Sequence, residues 1–183
     1  MSTTTTGTRT YVIDPAHSSA HFSVRHLMIS KVRGAFKKIS GTVNLPESGP
    51  IPSAISVEID AASIDTGEEQ RDGHLKSADF FEVEKFPNLT FTSTSITPSG
   101  SESFDVAGDL EIHGVKQPVT ITVNVAGQGK DPWGNDRIAY EASFKINRKD
   151  HGLVWNQALE AGGVAIGEHV DITLDVETVP KPA

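Results

Sequence analysis

Residues 64–91 hold the densest mixture of charge, histidine and aromatic side chains in the chain, IDTGEEQRDGHLKSADFFEVEKFPNLTF. If residues 68–78 form a helix, Arg71 and His74 lie about one turn apart on a face that they share with Leu75. A guanidinium and an imidazole on such a half-apolar face can donate hydrogen bonds to an oxygen atom. A helix packed on an ordinary core would have no use for them. The pattern therefore favours a helix laid across the opening of a lined cavity.

The same polar residues also have a plainer interpretation. Arg71, Asp72 and His74 could tether the helix to the rest of the fold and contact no ligand. We expect a mixture of the two roles, in which Arg71 and His74 face the opening and Asp72 does not. The aromatic residues that follow, Phe80 and Phe81, could be part of the core alone or could line the same opening.

Three histidines near the N-terminus invite a metal-binding hypothesis. In a strand, His17 and His21 would lie on one face and His26 on the other, and no carboxylate completes a ligand set at fixed spacing. We therefore predict no metal site. His26 shares its alternation with Phe22 and Val24 and is expected to point inward, where contact with a ligand and a hydrogen bond to a neighbouring strand both remain open.

Signatures of catalysis are weak in this sequence. It contains no cysteine, no G-x-S-x-G motif and no glycine-rich phosphate-binding loop. Strand carboxylates such as Asp109 and Asp171 alternate with apolar residues, so we expect them on the outer face and not converging in a cleft. We predict no catalytic residue and no cofactor. An enzyme that acts on a hydrophobic substrate through His26, Arg71 and His74 is the alternative.

Composition limits the partners. The 183-residue chain has a formal net charge of −8 and a pI near 5.3, which argues against nucleic acid and against anionic membrane surfaces as main partners. No apolar run approaches the roughly 20 residues that a membrane-spanning helix needs. The first residues, MSTTTTGTRTYVID, lack the basic start and apolar run of a signal peptide. We expect a cytoplasmic protein without an integral membrane segment.

About eight segments alternate between apolar and polar residues, with hairpin-sized gaps between them. This pattern predicts an all-β fold of antiparallel strands, and a barrel or a sandwich would satisfy it. The inward positions mix large residues with small or polar ones such as Gly108 and His26. We therefore favour an eight-stranded antiparallel up-and-down barrel with a short helix across one end. Residues 10–178 are expected to form this single domain, between a disordered polar tail at 1–9 and a C-terminal tail at 179–183.

Four segments carry more specific motifs: IDPAHSSAHFSVRH (13–26), the 64–91 segment, GDLEIHGVKQPVTITV (108–123) and INRKDHGLVWN (146–156). Together they resemble the YceI-like polyisoprenoid-binding proteins over residues 10–178. The resemblance implies a lipocalin-like barrel whose lumen takes a long isoprenoid chain, as in a quinone or a prenyl phosphate. Two features depart from the family pattern. The chain shows no signal peptide, and His151 stands where the family usually has an aromatic residue.

We therefore predict an isoprenoid lipid as the partner, bound in the barrel lumen for transport, storage or sequestration. A scaffold whose interior is filled by its own side chains is a further alternative, and a homodimer is left open. The residues expected to contact the ligand combine inward strand positions, helix positions and aromatics near the mouth. They are Phe22, Val24, His26, Met28, Arg71, His74, Phe80, Phe81, Phe91, Leu110, Val123, Phe144, Trp155 and Leu174.

Overall fold

The computed structural model describes residues 7–183, which form eleven strands and one α-helix. Short 3-10 turns at Pro15–His17, Ala61–Ser63 and Arg148–His151 connect some of them. The strands and helix are β1 (Thr8–Ile13), β2 (Ser19–His26), β3 (Ser30–Phe36), β4 (Ile39–Pro46), β5 (Ala54–Asp60), β6 (Ile64–Asp65), α1 (Glu69–Lys76), β7 (Asn88–Pro98), β8 (Ser103–Ile112), β9 (Val115–Lys130), β10 (Asp136–Asn147) and β11 (Ile166–Pro180).

The strands close into an eight-stranded antiparallel barrel in the order β1-β4-β5-β7-β8-β9-β10-β11, and β11 pairs back onto β1. Strands β1 and β2 together form one side-by-side partner of β11, and β4 and β3 continue that arrangement as the next partner. The long strand β11 pairs with β1 near its C-terminal end and with β2 along its N-terminal half. Likewise, β3 pairs with β2 while β4 pairs with β1. The predicted fold class is confirmed.

Helix α1 lies at the end of the barrel where β3 and β5 do not pair. There the free edge of β3 pairs only with the two-residue strand β6, through Ala35 and Phe36. Helix α1 follows β6 directly and is shorter than the predicted 68–78, because Ser77 ends it. Its N-terminal cap is Glu68, whose carboxylate accepts from the main-chain N–H groups of Gln70 and Arg71. This side chain satisfies two of the helix's unpaired donors.

Two clusters of buried side chains pack the interior. The larger lies toward the end where β1 meets β11 and includes Tyr11, Leu45 and Phe104. The smaller lies under α1 and includes Phe36 and Leu153, with Leu75 of the helix packed against it. Because each cluster fills only part of the interior, space remains between them. The alternation of inward and outward side chains along every strand keeps this space apolar.

The barrel extends beyond its predicted boundaries at both ends. Strand β1 begins at Thr8, and β11 continues to Pro180, so Thr8, Arg9 and Val179 belong to strands and not to the predicted tails. Residues 1–6 of the predicted N-terminal tail lie outside the described residues. Among residues 7–183, no helix is long and apolar enough to cross a membrane.

Candidate ligand-binding cavity

A cavity of about 630 Å³ runs through the barrel interior. At one end its wall is formed by buried residues, among them Ile13, Pro52 and Tyr140. At the other end its lining includes the exposed residues His26 and Leu27, together with residues of α1. The cavity is therefore closed at the first end and opens at the end that carries α1, which is called the mouth below. Its volume is in the range of sites that bind small molecules.

The closed end is sealed by Tyr140. Its hydroxyl donates to the carbonyl oxygen of Pro50 at 2.7 Å, and its ring meets Phe104 edge-on, with 6.0 Å between the centroids. Burial raises the pKa of the Tyr140 phenol well above its ordinary value, so the group stays neutral. A ligand chain that enters from the mouth would meet an uncharged, apolar floor.

The middle of the wall is apolar and incompletely packed. Val24, Phe144 and Leu174 lie within their strands, yet they are only half-buried and all three line the cavity. A side chain in the middle of a packed β-core would be fully buried. These residues therefore present apolar surface to the cavity, and an apolar ligand would cover that surface.

Arg71 of α1 lines the mouth and is also tied to the chain before the helix. Its Nε donates to Oγ1 of Thr66 at 2.7 Å, and its Nη2 donates to the Thr66 carbonyl oxygen at 2.8 Å. The Thr66 main-chain N–H and hydroxyl in turn donate to Oδ1 of Asp72 at 2.9 and 2.5 Å. Asp72 is absent from the cavity wall. The helix thus directs Arg71 toward the cavity and Asp72 toward the Thr66 anchor.

An aromatic cluster, defined here as His74, Phe80 and Trp155, forms another part of the mouth. The His74 ring meets Phe80 and Trp155 edge-on, at centroid distances of 5.0 and 4.8 Å, and the Phe80 and Trp155 rings are 5.4 Å apart. The Nε2 atom of His74 lies 2.8 Å from a carboxylate oxygen of Asp79. The imidazole is therefore held in one orientation by packing on two sides and by a polar partner.

Residues 11–178 match the YceI-like domain. The chain belongs to the YceI-like family. Protein YceI of Escherichia coli O157:H7 is 40% identical over 165 residues, which are 90% of this chain and 83% of that protein. A YCEI protein of Campylobacter jejuni is 27% identical, with a TM-score of 0.73 over 86% of this chain and 90% of the other. A polyisoprenoid binding domain from Saccharophagus degradans shares the fold, with a TM-score of 0.69 at 20% identity over 93% of this chain and 98% of the other.

Thirteen of the fourteen predicted contact residues lie in the wall of the YceI-like cavity, and their role in binding stays a prediction. Met28 is the exception, and its predicted inward position is wrong. The strand alternation ends at His26, and Leu27 and Met28 adopt positive φ angles of 53° and 65° in a tight turn. Met28 is consequently 54% exposed and lies outside the cavity wall.

Arg148 is a wall residue of the YceI-like barrel that sequence reasoning missed. It is 4% exposed and donates to main-chain carbonyl oxygens of Leu153 at 2.6 Å, Gly167 at 2.8 Å and Trp155 at 3.0 Å. Burial lowers the pKa of the Arg148 guanidinium, and these carbonyl groups replace part of its lost hydration. It lies in the INRKDHGLVWN motif just after an alternating strand, and neither feature by itself predicts burial.

Other missed wall residues carried a readable signal. Val170, Ile172 and Val176 line the cavity and share the alternation of Leu174 along β11, so the period-2 rule could have included them.

His151, where the family usually has an aromatic residue, is 2% exposed and lies outside the cavity wall. Its Nδ1 lies 3.0 Å from the carbonyl oxygen of Val115. In this YceI-like chain, His151 is thus a hydrogen-bonded core residue.

Among residues 7–183, one group of side chains has metal-like spacing, namely Asp14, His17 and Glu177. Arg137 already occupies this site. Its Nη1 donates to Asp14 at 2.7 Å and to Glu177 at 2.9 Å, and its Nε donates to Asp131 at 3.1 Å. A metal ion would have to share these carboxylates with a guanidinium, so the group is better described as an ion-pair cluster at the closed end of the YceI-like barrel.

Proposed function

We propose that this YceI-like protein binds an isoprenoid lipid with its chain in the barrel cavity and its headgroup at the mouth. The observation that carries the proposal is an apolar cavity that is closed at one end and bordered by polar side chains at the other. The polyisoprenoid binding domain of the Saccharophagus degradans protein, which shares the fold, agrees with this ligand class.

The energetics of the cavity suit a prenyl chain. Each buried methylene contributes about 0.8 kcal/mol, and micromolar binding needs about 8 kcal/mol after the cost of association. A few isoprene units therefore suffice. The wall residues Val24, Phe144 and Leu174 are only half-buried by the rest of the protein, so little packing must be broken to admit the chain.

The mouth supplies the groups that could distinguish one headgroup from another. Arg71 and the buried Arg148 both line the cavity at this end, and they favour a headgroup that is anionic or rich in oxygen. Arg71 and His74, which the enzymatic alternative would use, each have a hydrogen-bond partner already. Groups held in this way can position a headgroup. We propose binding, for transport, storage or sequestration, and a change in ligand mass would distinguish turnover from binding.

The proposal is tested by extracting the purified protein with organic solvent and measuring the extracted lipid by mass spectrometry. We expect a prenyl lipid in stoichiometric amount, or, for protein stripped of lipid, saturable binding of farnesyl phosphate. Native mass spectrometry of the same complex would reveal any turnover as a change in ligand mass. Absence of lipid together with absence of farnesyl phosphate binding would leave the scaffold interpretation.

A further inference from the structure

The turn between β2 and β3 exposes three consecutive apolar side chains beside the mouth. Leu27, Met28 and Ile29 are 40%, 54% and 80% exposed. Leu27 also lines the cavity, and its main-chain N–H donates to the carbonyl oxygen of Ala165 at 2.8 Å, which joins the turn to the connection before β11. The apolar surface is therefore continuous with the opening through which a lipid would pass.

The geometry of this turn does not account for its residue types. The carbonyl oxygen of His26 accepts from the N–H of Ile29 at 3.2 Å, and the two central residues, Leu27 and Met28, have positive φ angles of 53° and 65°. This is the geometry of a type I′ hairpin turn, which favours Asn-Gly. Leucine and methionine adopt it less readily and leave apolar surface in water. Folding alone would be served better by polar residues.

Charge is distributed unevenly around the same turn. The chain has 24 acidic residues, but none lies between residues 15 and 46. Arg25, Lys31 and Arg33 are exposed there on the β2–β3 hairpin, and Arg25 also lies in the cavity wall. Lys31 lies 3.7 Å from Asp171, whereas within residues 7–183 no carboxylate is within 4.0 Å of the guanidinium of Arg25 or Arg33. The hairpin is thus a basic surface on an acidic protein.

We propose that the β2–β3 hairpin docks the mouth on a lipid bilayer, with the turn residues Leu27, Met28 and Ile29 in the interface and the basic residues against anionic headgroups. This inference rests on the proposed function, because a prenyl lipid is stored in membranes and must reach the cavity from one. Apolar side chains flanked by Lys and Arg are the pattern of interfacial membrane contact. The net charge of −8 opposes docking through the rest of the surface and so restricts contact to this hairpin.

A second copy of the chain fits this surface less well than a bilayer does. A stable protein interface buries roughly 800 Å² on each partner, which three aliphatic side chains cannot supply. The basic residues would also face one another across a symmetric contact. A bilayer needs no such area, since it solvates single inserted side chains.

The test compares variants in sedimentation with vesicles of phosphatidylcholine, with and without phosphatidylglycerol. M28G/I29S removes apolar surface outside the cavity wall and introduces glycine where the turn favours it, so the fold is retained. W133S is the matched control, because Trp133 is 80% exposed on the β9–β10 loop at the closed end. We expect roughly tenfold weaker vesicle binding for M28G/I29S and no change for W133S. K31Q/R33Q should lose several-fold affinity, and only on vesicles that contain phosphatidylglycerol.

Titration with farnesyl phosphate and light scattering distinguish a failure of docking from a failure of lipid binding and from dimerisation. Farnesyl phosphate titrated without vesicles should bind the wild type and M28G/I29S equally, since Met28 and Ile29 lie outside the cavity wall. If the wild type yields no extracted lipid and does not bind farnesyl phosphate, but M28G/I29S still loses vesicle binding, docking holds and the lipid-binding proposal is overturned. Docking is overturned if the wild type does not bind vesicles, if M28G/I29S binds them as the wild type does, or if light scattering shows a dimer that M28G/I29S abolishes.

Discussion

Arg148 donates a hydrogen bond to the carbonyl oxygen of Leu153 at 2.6 Å, and through this contact a buried charge holds the connection that forms one side of the mouth. The same guanidinium reaches Trp155 and Gly167, so a single side chain fixes both ends of the segment between β10 and β11. The mouth is therefore shaped by hydrogen bonds to the main chain, which do not depend on the side chains at the contacted positions.

Replacing Arg148 with methionine should destabilise the fold. The carbonyl groups of Leu153, Trp155 and Gly167 would lose their donors in a place where water has little access, at a cost of roughly 3 kcal/mol in the free energy of unfolding. Urea denaturation measures this cost. Lys149→Met is the matched control, because Lys149 is exposed and its ion pair with Glu168 lies at the surface, where such pairs contribute about 1 kcal/mol or less. Equal losses for the two variants would contradict the anchoring role of Arg148.

Phe144→Asp should abolish lipid binding by placing a charge in the apolar wall. The expected loss of affinity for farnesyl phosphate is at least about tenfold, since a carboxylate in an apolar cavity remains hydrated and repels the chain. Ser143→Asp introduces the same charge one residue earlier on β10, at an exposed position on the outer face, and should bind like the wild type. If Phe144→Asp folds and still purifies with lipid at wild-type stoichiometry, the chain does not occupy this cavity.

Arg71→Ala and His74→Ala should each weaken the binding of farnesyl phosphate by roughly 1 to 3 kcal/mol. Binding of a prenyl hydrocarbon without a headgroup should change little, because the barrel wall is untouched. Paired isothermal titrations of the two ligands measure the difference.

Asp72→Asn provides the control for this pair, because Asp72 lies outside the cavity wall but anchors Thr66. It should leave the preference for phosphate unchanged. Equal losses of both ligands in Arg71→Ala would mean that Arg71 serves only the Thr66 anchor.

The ion-pair cluster at the closed end predicts a loss of stability in acid. Burial would raise the pKa of Asp131, but hydrogen bonds from Asn135, Arg137 and Trp133 outweigh this effect and lower it from 3.8 to about 2. A hydrogen bond from Arg137 likewise lowers the pKa of Asp14. A carboxylate with a lowered pKa stabilises the fold above its ordinary pKa, and this stabilisation is lost as the pH falls toward the folded value. The Asp131 contribution should therefore disappear between about pH 4 and pH 2.

Denaturation of the wild type and Asp131→Asn over this range measures that contribution. The wild type should be the more stable protein at neutral pH, and the difference should shrink as the pH falls to 2. Asp136→Asn is the control, since Asp136 is exposed and pairs with Lys130 at the surface. A difference for Asp131→Asn that does not depend on pH would show that its charge is not what stabilises the loop.

Alternation along single strands determined much of this protein in advance. The period of two is local, so it predicted the barrel class and the inward positions of Phe22, Val24, Phe144 and Leu174 without knowledge of pairing partners. The i, i+3 spacing likewise predicted that Arg71 and His74 share the face of α1 that lines the mouth. Each inference needed only the geometry of one element.

Only the tertiary structure decided the features that depend on residues far apart in the chain. The positive φ angles that turn Met28 outward belong to the β2–β3 pairing, and the burial of Arg148 follows from the connection that folds over it. The sequence shows that residues 15–46 carry no acidic side chain, but only the β2–β3 pairing gathers Arg25, Lys31 and Arg33 beside the exposed turn. The physical reason is the same in each case. Burial, turn geometry and local charge are set by neighbours in space, whereas a sequence pattern reports only neighbours along the chain.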